Sequence, residues 1–238
     1  MDVPPANTSP DRKGHDLLNE PLYTVNDVAR MLHVRPDTLR YWVCGKTVSL
    51  ADGREQTYAP LVGDGSSLLS FQDLAELAVV AHLKHLGFIL TSIRRAANHI
   101  QEATGRPRPF LNEILTGGGT EIALELERGK AVSMTHGGQT VLPLPRLLDR
   151  LQISQNLVVR VFPFSRPEEP DTDPQLIEIN PYRRFGRPIT RPNGLDVAAI
   201  WDRFRWGETT EELMEDLGAG RQEIEEAIRY QQRYVTAA

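Results

Sequence analysis

The chain has 238 residues, 40% of them hydrophobic and 25% charged, which suits a water-soluble protein with real cores and allows one to three domains. A formal net charge of −5 excludes a surface coated all round with cations, but it leaves room for a local cationic patch. No apolar run approaches the roughly 20 residues that span a bilayer; the richest, Leu74 to Leu83, is broken by Glu76 and followed by Lys84 and His85.

The first residues lack a charged region followed by an apolar one, so no signal peptide is expected and the protein is placed in the cytoplasm. Cys44 is the single cysteine, expected as a small buried or half-buried residue rather than as part of a disulfide or zinc site. The six histidines are scattered, and His82 and His85 lack the HExxH frame of a metal pair. No metal or cofactor is expected.

Residues 1–21 hold Pro4, Pro5, Pro10 and Pro21 among polar residues and read as a flexible tail. From Tyr23 a helical pattern begins. Thr24 suits an N-cap, and Val25, Val28, Ala29 and Leu32 keep a helical period. His33 and Val34 make a turn, Pro36 fits the first position of a second helix, and Gly45 ends it.

The glycine- and proline-punctuated residues 46–70 read as a β-hairpin with an extended tip. Ser70 to Asp73 start a long helix, Gly87 breaks it, and Leu90 to Ser92 start another, through Ile100. Gly105 to Pro109 form a boundary. Residues 106–164 read as a small α+β unit. Its expected elements are a strand at Glu121–Leu126, a partner at Ala131–Met134, a helix at Leu144–Leu151 and a strand at Asn156–Phe164. The acidic, proline-rich residues 165–175 read as a linker. Residues 176–238 are helical again, with Leu195 to Phe204 as one helix, Thr209 to Glu212 capping the next and a third after Gly220. The fold class is mainly α with small β elements, that is α+β.

Two short helices joined by a tight turn make a helix-turn-helix, whose second helix fits the major groove. On that helix Arg35, Asp37, Thr38, Arg40 and Tyr41 are the projecting polar positions, while Leu39 faces the first helix. Trp42 is read as core. The order Tyr23-Thr24-Val25, Val28-Ala29-Arg30, Val34 and Thr38-Leu39-Arg40-Tyr41-Trp42 resembles the MerR-type winged helix-turn-helix. Phe71 to Leu74, Leu83 to Phe88 and Ser92-Ile93 look like that family's helices after the wing, so the resemblance spans residues 22–102. The segment between Trp42 and Phe71 is longer than the family's usual wing. The resemblance implies a DNA-contacting set of Thr24, Arg35, Asp37, Thr38, Arg40, Tyr41, Lys46, Arg54 and Tyr58 on a domain over residues 22–105.

In the tail, Phe185-Gly186-Arg187-Pro188 and Gly207-Glu208-Thr209-Thr210-Glu211-Glu212-Leu213 resemble a small bacterial antitoxin-type domain of unknown function that pairs with PIN-like ribonuclease toxins. The chain departs from that family after Ile189, reading Thr190-Arg191-Pro192-Asn193-Gly194. Head and tail together look like the larger VapB-type antitoxins. That resemblance implies operator binding at one end and toxin silencing at the other. Its toxin-binding set is Arg183, Arg184, Phe185, Arg187, Arg191, Trp201, Phe204 and Trp206; a second DNA patch is the alternative for the arginines, and the core of a small helical domain the alternative for Trp201 and Trp206. A homodimer follows from operator symmetry.

The alternative is a transcription regulator with a ligand-sensing middle unit and no toxin. Catalysis is not expected, since no nucleophile–base pair or metal-ligand spacing stands out, and Gly117-Gly118-Gly119 lacks the Lys-Ser/Thr of a phosphate loop.

Overall fold

A computed structural model describes residues 17–49, 52–117, 122, 148–166, 169 and 172–236. The first half runs β1 (Tyr23–Thr24), α1 (Val25–Met31), α2 (Pro36–Cys44), β2 (Lys46–Ser49), β3 (Glu55–Tyr58), β4 (Leu68–Leu69), α3 (Phe71–His85), α4 (Leu90–Thr104) and α5 (Pro109–Gly117). The second half runs β5 (Leu151–Ser154), β6 (Leu157–Val161), β7 (Ile177–Glu178), β8 (Ile189–Thr190), α6 (Val197–Arg205), α7 (Thr210–Leu217) and α8 (Arg221–Thr236). The described strands pair antiparallel, two by two. The class is α+β.

Local chemistry starts the helices where the sequence places them. The Thr24 hydroxyl accepts the Asp27 amide, and the Asp27 carboxylate accepts the Thr24 amide. Ser70 with Asp73 repeats this box at α3, and Thr209 with Glu212 repeats it at α7. Each box satisfies two donors that a helix start leaves unpaired.

The main core joins the helix-turn-helix to the middle of the chain. Leu39, Trp42, Phe71, Leu74 and Ile93 form one buried cluster with Phe110, Leu111 and Ile114 of α5 and with Leu151, Val158 and Val161 of the β5–β6 hairpin. The boundary expected at Gly105–Pro109 therefore does not divide the core. Glu76 on α3, fully buried, accepts the amides of Phe110 and Leu111 at 3.0 and 2.8 Å and so caps α5 from across the core. Gln72 donates to the Val158 carbonyl at 2.6 Å and holds β6 on the same helix.

Several expectations change. Leu151 opens a strand rather than closing a helix, because it pairs with Val161. Leu18, inside the expected flexible tail, is buried in the core. The expected linker is anchored at both ends: Ser165 and Asp173 are buried, and Arg150 donates to Asp173 at 2.7 Å. Apart from Ile122, the strands expected over residues 121–134 lie outside the described residues, as do residues 1–16 of the tail and most of the glycine run at 117–119.

The second core holds Ile177, Val197, Ile200, Leu213, Ile224, Ala227 and Tyr230. Polar contacts also tie the C-terminal segment to the rest of the chain. Val161 and Ile179 exchange amide–carbonyl bonds at 3.1 and 2.8 Å. Glu178, fully buried, meets Arg160 and Arg183 at 3.2 and 2.7 Å. Glu226 on α8, also fully buried, accepts from Ser165, Arg166 and Arg229.

Candidate nucleic-acid interface

α1 and α2 are joined by Leu32–Arg35, where His33 adopts φ 53° and lets the chain reverse tightly. Pro36 starts α2 with φ already set. Leu39, Trp42 and Val43 face inward, which turns Arg35, Asp37 and Arg40 outward. Thr38 shares an edge of the helix with Trp42 and is half-buried, so it does not reach that exposed face. The Thr24 hydroxyl is occupied by its cap. Cys44, expected to be at least half-buried, is exposed, because it falls on the outer side of the last turn of α2.

Gly45 ends α2 and starts the hairpin. Its φ of 73° and ψ of −170° suit glycine alone, and a Cβ there would lie 2.3 Å from the Tyr58 carbonyl oxygen. Lys46 pairs with Tyr58 and Ser49 with Glu55, so a regular wing stands beside the recognition helix. The extra chain length after it has a use: Leu61 and Val62 donate to the Trp42 carbonyl, and β4 returns to pair with β1, Tyr23 facing Leu69.

The wing is fixed to α2 by aromatic contacts. Tyr58 and Tyr41 meet edge-on at 6.1 Å, and Arg94 of α4 lies over the Tyr41 ring at 5.0 Å while donating to the Ala59 carbonyl. Tyr41 and Tyr58 thus position the wing. Arg94 was missed in the sequence, where it reads as one more surface cation beside Ile93. Lys46 and Arg54 are exposed, and Arg54 is ion-paired with Asp52 at 2.6 Å. The structure therefore brings Arg35, Asp37, Arg40 and Lys46 to solvent on adjoining elements, with Arg54 at the wing tip.

The tail residues separate into two groups. Arg183 is drawn to Glu178, and Arg191 lies 5.1 Å from the Phe162 ring centre. Arg184 and Arg187 are exposed on either side of Phe185, which is 94% exposed with φ 55°. On and beside α6, Trp201 is half-buried and packs on Phe204 at 6.1 Å, while Trp206 is 90% exposed. Among the described residues no group of three or more His, Cys, Asp or Glu is placed to hold a metal ion. No described helix is long and apolar enough to cross a membrane.

The head is thus a helix-turn-helix with a hairpin wing, and comparison with known proteins supports that class. Residues 21–104 match the family described as "Putative DNA-binding HTH domain". Residues 177–231 match the family described as "Protein of unknown function (DUF433)". The chain carries a DNA-binding helix-turn-helix domain and a DUF433 domain. Among solved structures, the X-ray crystal structure of Rv2018 from Mycobacterium tuberculosis is similar with a TM-score of 0.60 and 20% identity, covering 89% of this chain and 99% of that one. That likeness is one of fold. No curated protein matches the chain.

Proposed function

We propose that the protein is an antitoxin and autorepressor of the VapB type, acting by binding rather than catalysis. A homodimer binds its own operator through α2 and the wing, with Arg35, Arg40 and Lys46 on phosphates or base edges. The DUF433 unit binds and silences a PIN-like ribonuclease. The observation that carries the reading is the pairing of a DNA-binding helix-turn-helix with a DUF433 unit, a domain often associated with toxin–antitoxin systems. The exposure of Phe185 and Trp206 supports it, because bare aromatics flanked by arginine are frequent interface anchors. Arg184 and Arg187 are exposed, and such cations suit the clustered carboxylates of a PIN-like nuclease.

Co-expression with a PIN-like nuclease encoded beside this chain tests the toxin half. Growth arrest by the nuclease is expected to be relieved, and arrest that persists in the presence of soluble chain refutes it. Arg187→Glu is expected to weaken nuclease capture and to leave binding to the upstream DNA intact; loss of DNA binding instead makes the tail arginines a second DNA patch.

A further inference from the structure

A cavity of about 350 Å³ opens where the helix-turn-helix, α3, the β5–β6 hairpin and α8 meet. Its size falls at the small end of the roughly 300–1,000 Å³ typical of small-molecule sites. Of the residues proposed to meet DNA only Arg35 lines it, and the exposed tail aromatics do not.

Its walls have two characters. Trp42, Val34, Leu151, Val161, Phe162 and Phe164 supply an apolar, partly aromatic lining. Every ionisable residue on the lining is basic, from Arg35 beside α2 to Lys84 and His85 at the end of α3 and Arg150 before β5. Arg150 is already neutralised by Asp173 and lies 4.0 Å from the Phe164 ring centre, so its role is to shape the wall. Lys84 gives one donor to the Phe88 carbonyl at 2.9 Å and keeps two.

His82 is the third feature. It is 6% exposed and stacks flat on Phe164, with centroids 5.1 Å apart and planes 8° apart. Its Nε2 has no hydrogen-bond partner among the described residues. A buried ring nitrogen left without a partner on a cavity wall is a group that a ligand can satisfy.

We propose that this cavity binds a small aromatic acid, a planar apolar body bearing a carboxylate or sulfonate, and that its occupancy sets the seating of the recognition helix. The ring lies against the apolar wall of Val34, Trp42, Leu151 and Val161, and the acid group is held by Lys84 and His85 with the unpartnered Nε2 of His82 as a further donor. Coupling is direct, since Thr38 and Trp42 on the inner edge of α2 line the cavity while the outer side of that helix carries Arg40. A ligand that fits one seating of α2 better than another shifts the DNA affinity by the same differential. The binding half stands without the antitoxin reading; the coupling half rests on DNA binding by α2.

The test uses the full chain and anilinonaphthalene sulfonate as a fluorescent aromatic anion. Indoleacetate is expected to displace it at concentrations at least tenfold below those needed for neutral indoleacetamide, and Lys84→Gln is expected to shrink that ratio. Ala81→Phe, which fills the cavity from α3, is expected to abolish the fluorescence response with the melting temperature retained; Ala78→Phe serves if the first variant does not fold. Equal displacement by acid and amide, or an unaltered response in a folded filled variant, overturns the proposal. Saturating indoleacetate is expected to change affinity for the DNA upstream of the coding sequence by roughly five-fold or more. Bound ligand with unchanged DNA affinity refutes the coupling. Failure to bind that DNA at all refutes the operator reading, while the displacement ratio still decides the site.

Discussion

The hydroxyl of Tyr230, on the last helix, donates to the carbonyl of Met31, the last residue of α1, at 2.7 Å. This carbonyl is one of those a helix end leaves without a partner. The His33 ring meets Tyr230 edge-on at 4.6 Å, so the C-terminal unit closes directly on the turn of the helix-turn-helix. Tyr230 is fully buried. Tyr230→Phe keeps the ring and strands the carbonyl. A loss of about 1–3 kcal/mol is expected from urea unfolding, with faster amide exchange around residues 31–34. An unchanged midpoint refutes the capping role.

Gly45 is the hinge between recognition helix and wing. Gly45→Ala adds a Cβ against the Tyr58 carbonyl in a backbone region that only glycine adopts. A cost of about 1–3 kcal/mol from the backbone alone is expected, with more from the clash. DNA affinity falls with it, because the Tyr41–Tyr58 contact that seats the wing is lost. Retained stability with full DNA affinity argues against a fixed wing.

Arg35 and Arg40 are exposed, and no hydrogen bond, ion pair or ring contact is seen for either side chain among the described residues. Each alanine replacement is expected to leave the melting temperature unchanged. Where the side chain meets a phosphate, it lowers the slope of log affinity against log salt by about 0.9. Cys44→Ser, on the same helix, serves as the control and changes neither. Titrations of upstream DNA at several salt concentrations read the slopes.

What the sequence makes legible is local. Thr24, Ser70 and Thr209 mark helix starts because each meets an acidic residue three positions on, and Pro36 and Gly45 bracket α2 by their own φ preferences. What it hides is distant. The helix α5 begins inside a segment rich in proline and glycine, and its amides are capped by Glu76, 34 residues upstream of Phe110. The docking of α8 on the helix-turn-helix joins residues 199 apart. No periodicity announces either contact, and the cavity that α8 helps to enclose is equally silent. In the interface, exposure of Arg35 and Arg40 follows from helical spacing, whereas Tyr41 falls on the edge that the wing covers and Thr38 on the edge that lines the cavity.

Two buried groups on α3 titrate in opposite senses. Burial pushes the Glu76 carboxyl from 4.5 up to about 7, outweighing the two amides that favour its charge. The folded chain therefore holds this proton more tightly than the unfolded chain, and the stability it adds is lost as pH rises through about 7. Burial, and then His85, lower His82 from 6.5 to about 4, so its contribution is full above 6.5 and is lost as pH falls toward 4. Where one form binds the proton and the other does not, each slope is about 1.4 kcal/mol per pH unit. Between about 5 and 6.5 the two oppose each other, and the whole chain is expected to be nearly pH-flat there. Glu76→Gln exposes the His82 slope, with stability falling on acidification. His82→Phe exposes the Glu76 slope, with stability rising. Urea midpoints across that window check both signs.

Trp206 sits just past the last turn of α6 with 90% of its surface in water. Gly207 follows it with φ 104°, where the chain turns away from α6. Trp201, in the middle of α6, is half-buried and rests on Phe204 instead. A structural tryptophan costs about 3–5 kcal/mol when cut to alanine, whereas an exposed one away from any core changes stability by about 0.5 kcal/mol or less. Trp206→Ala is therefore expected to unfold like the parent and to bind upstream DNA equally well. If it anchors the nuclease, capture weakens by about 2 kcal/mol or more, read as at least a roughly thirtyfold rise in Kd by calorimetry. Trp201→Ala reverses the pattern, losing stability first. A nuclease bound equally well by Trp206→Ala and by the parent chain removes this residue from the interface.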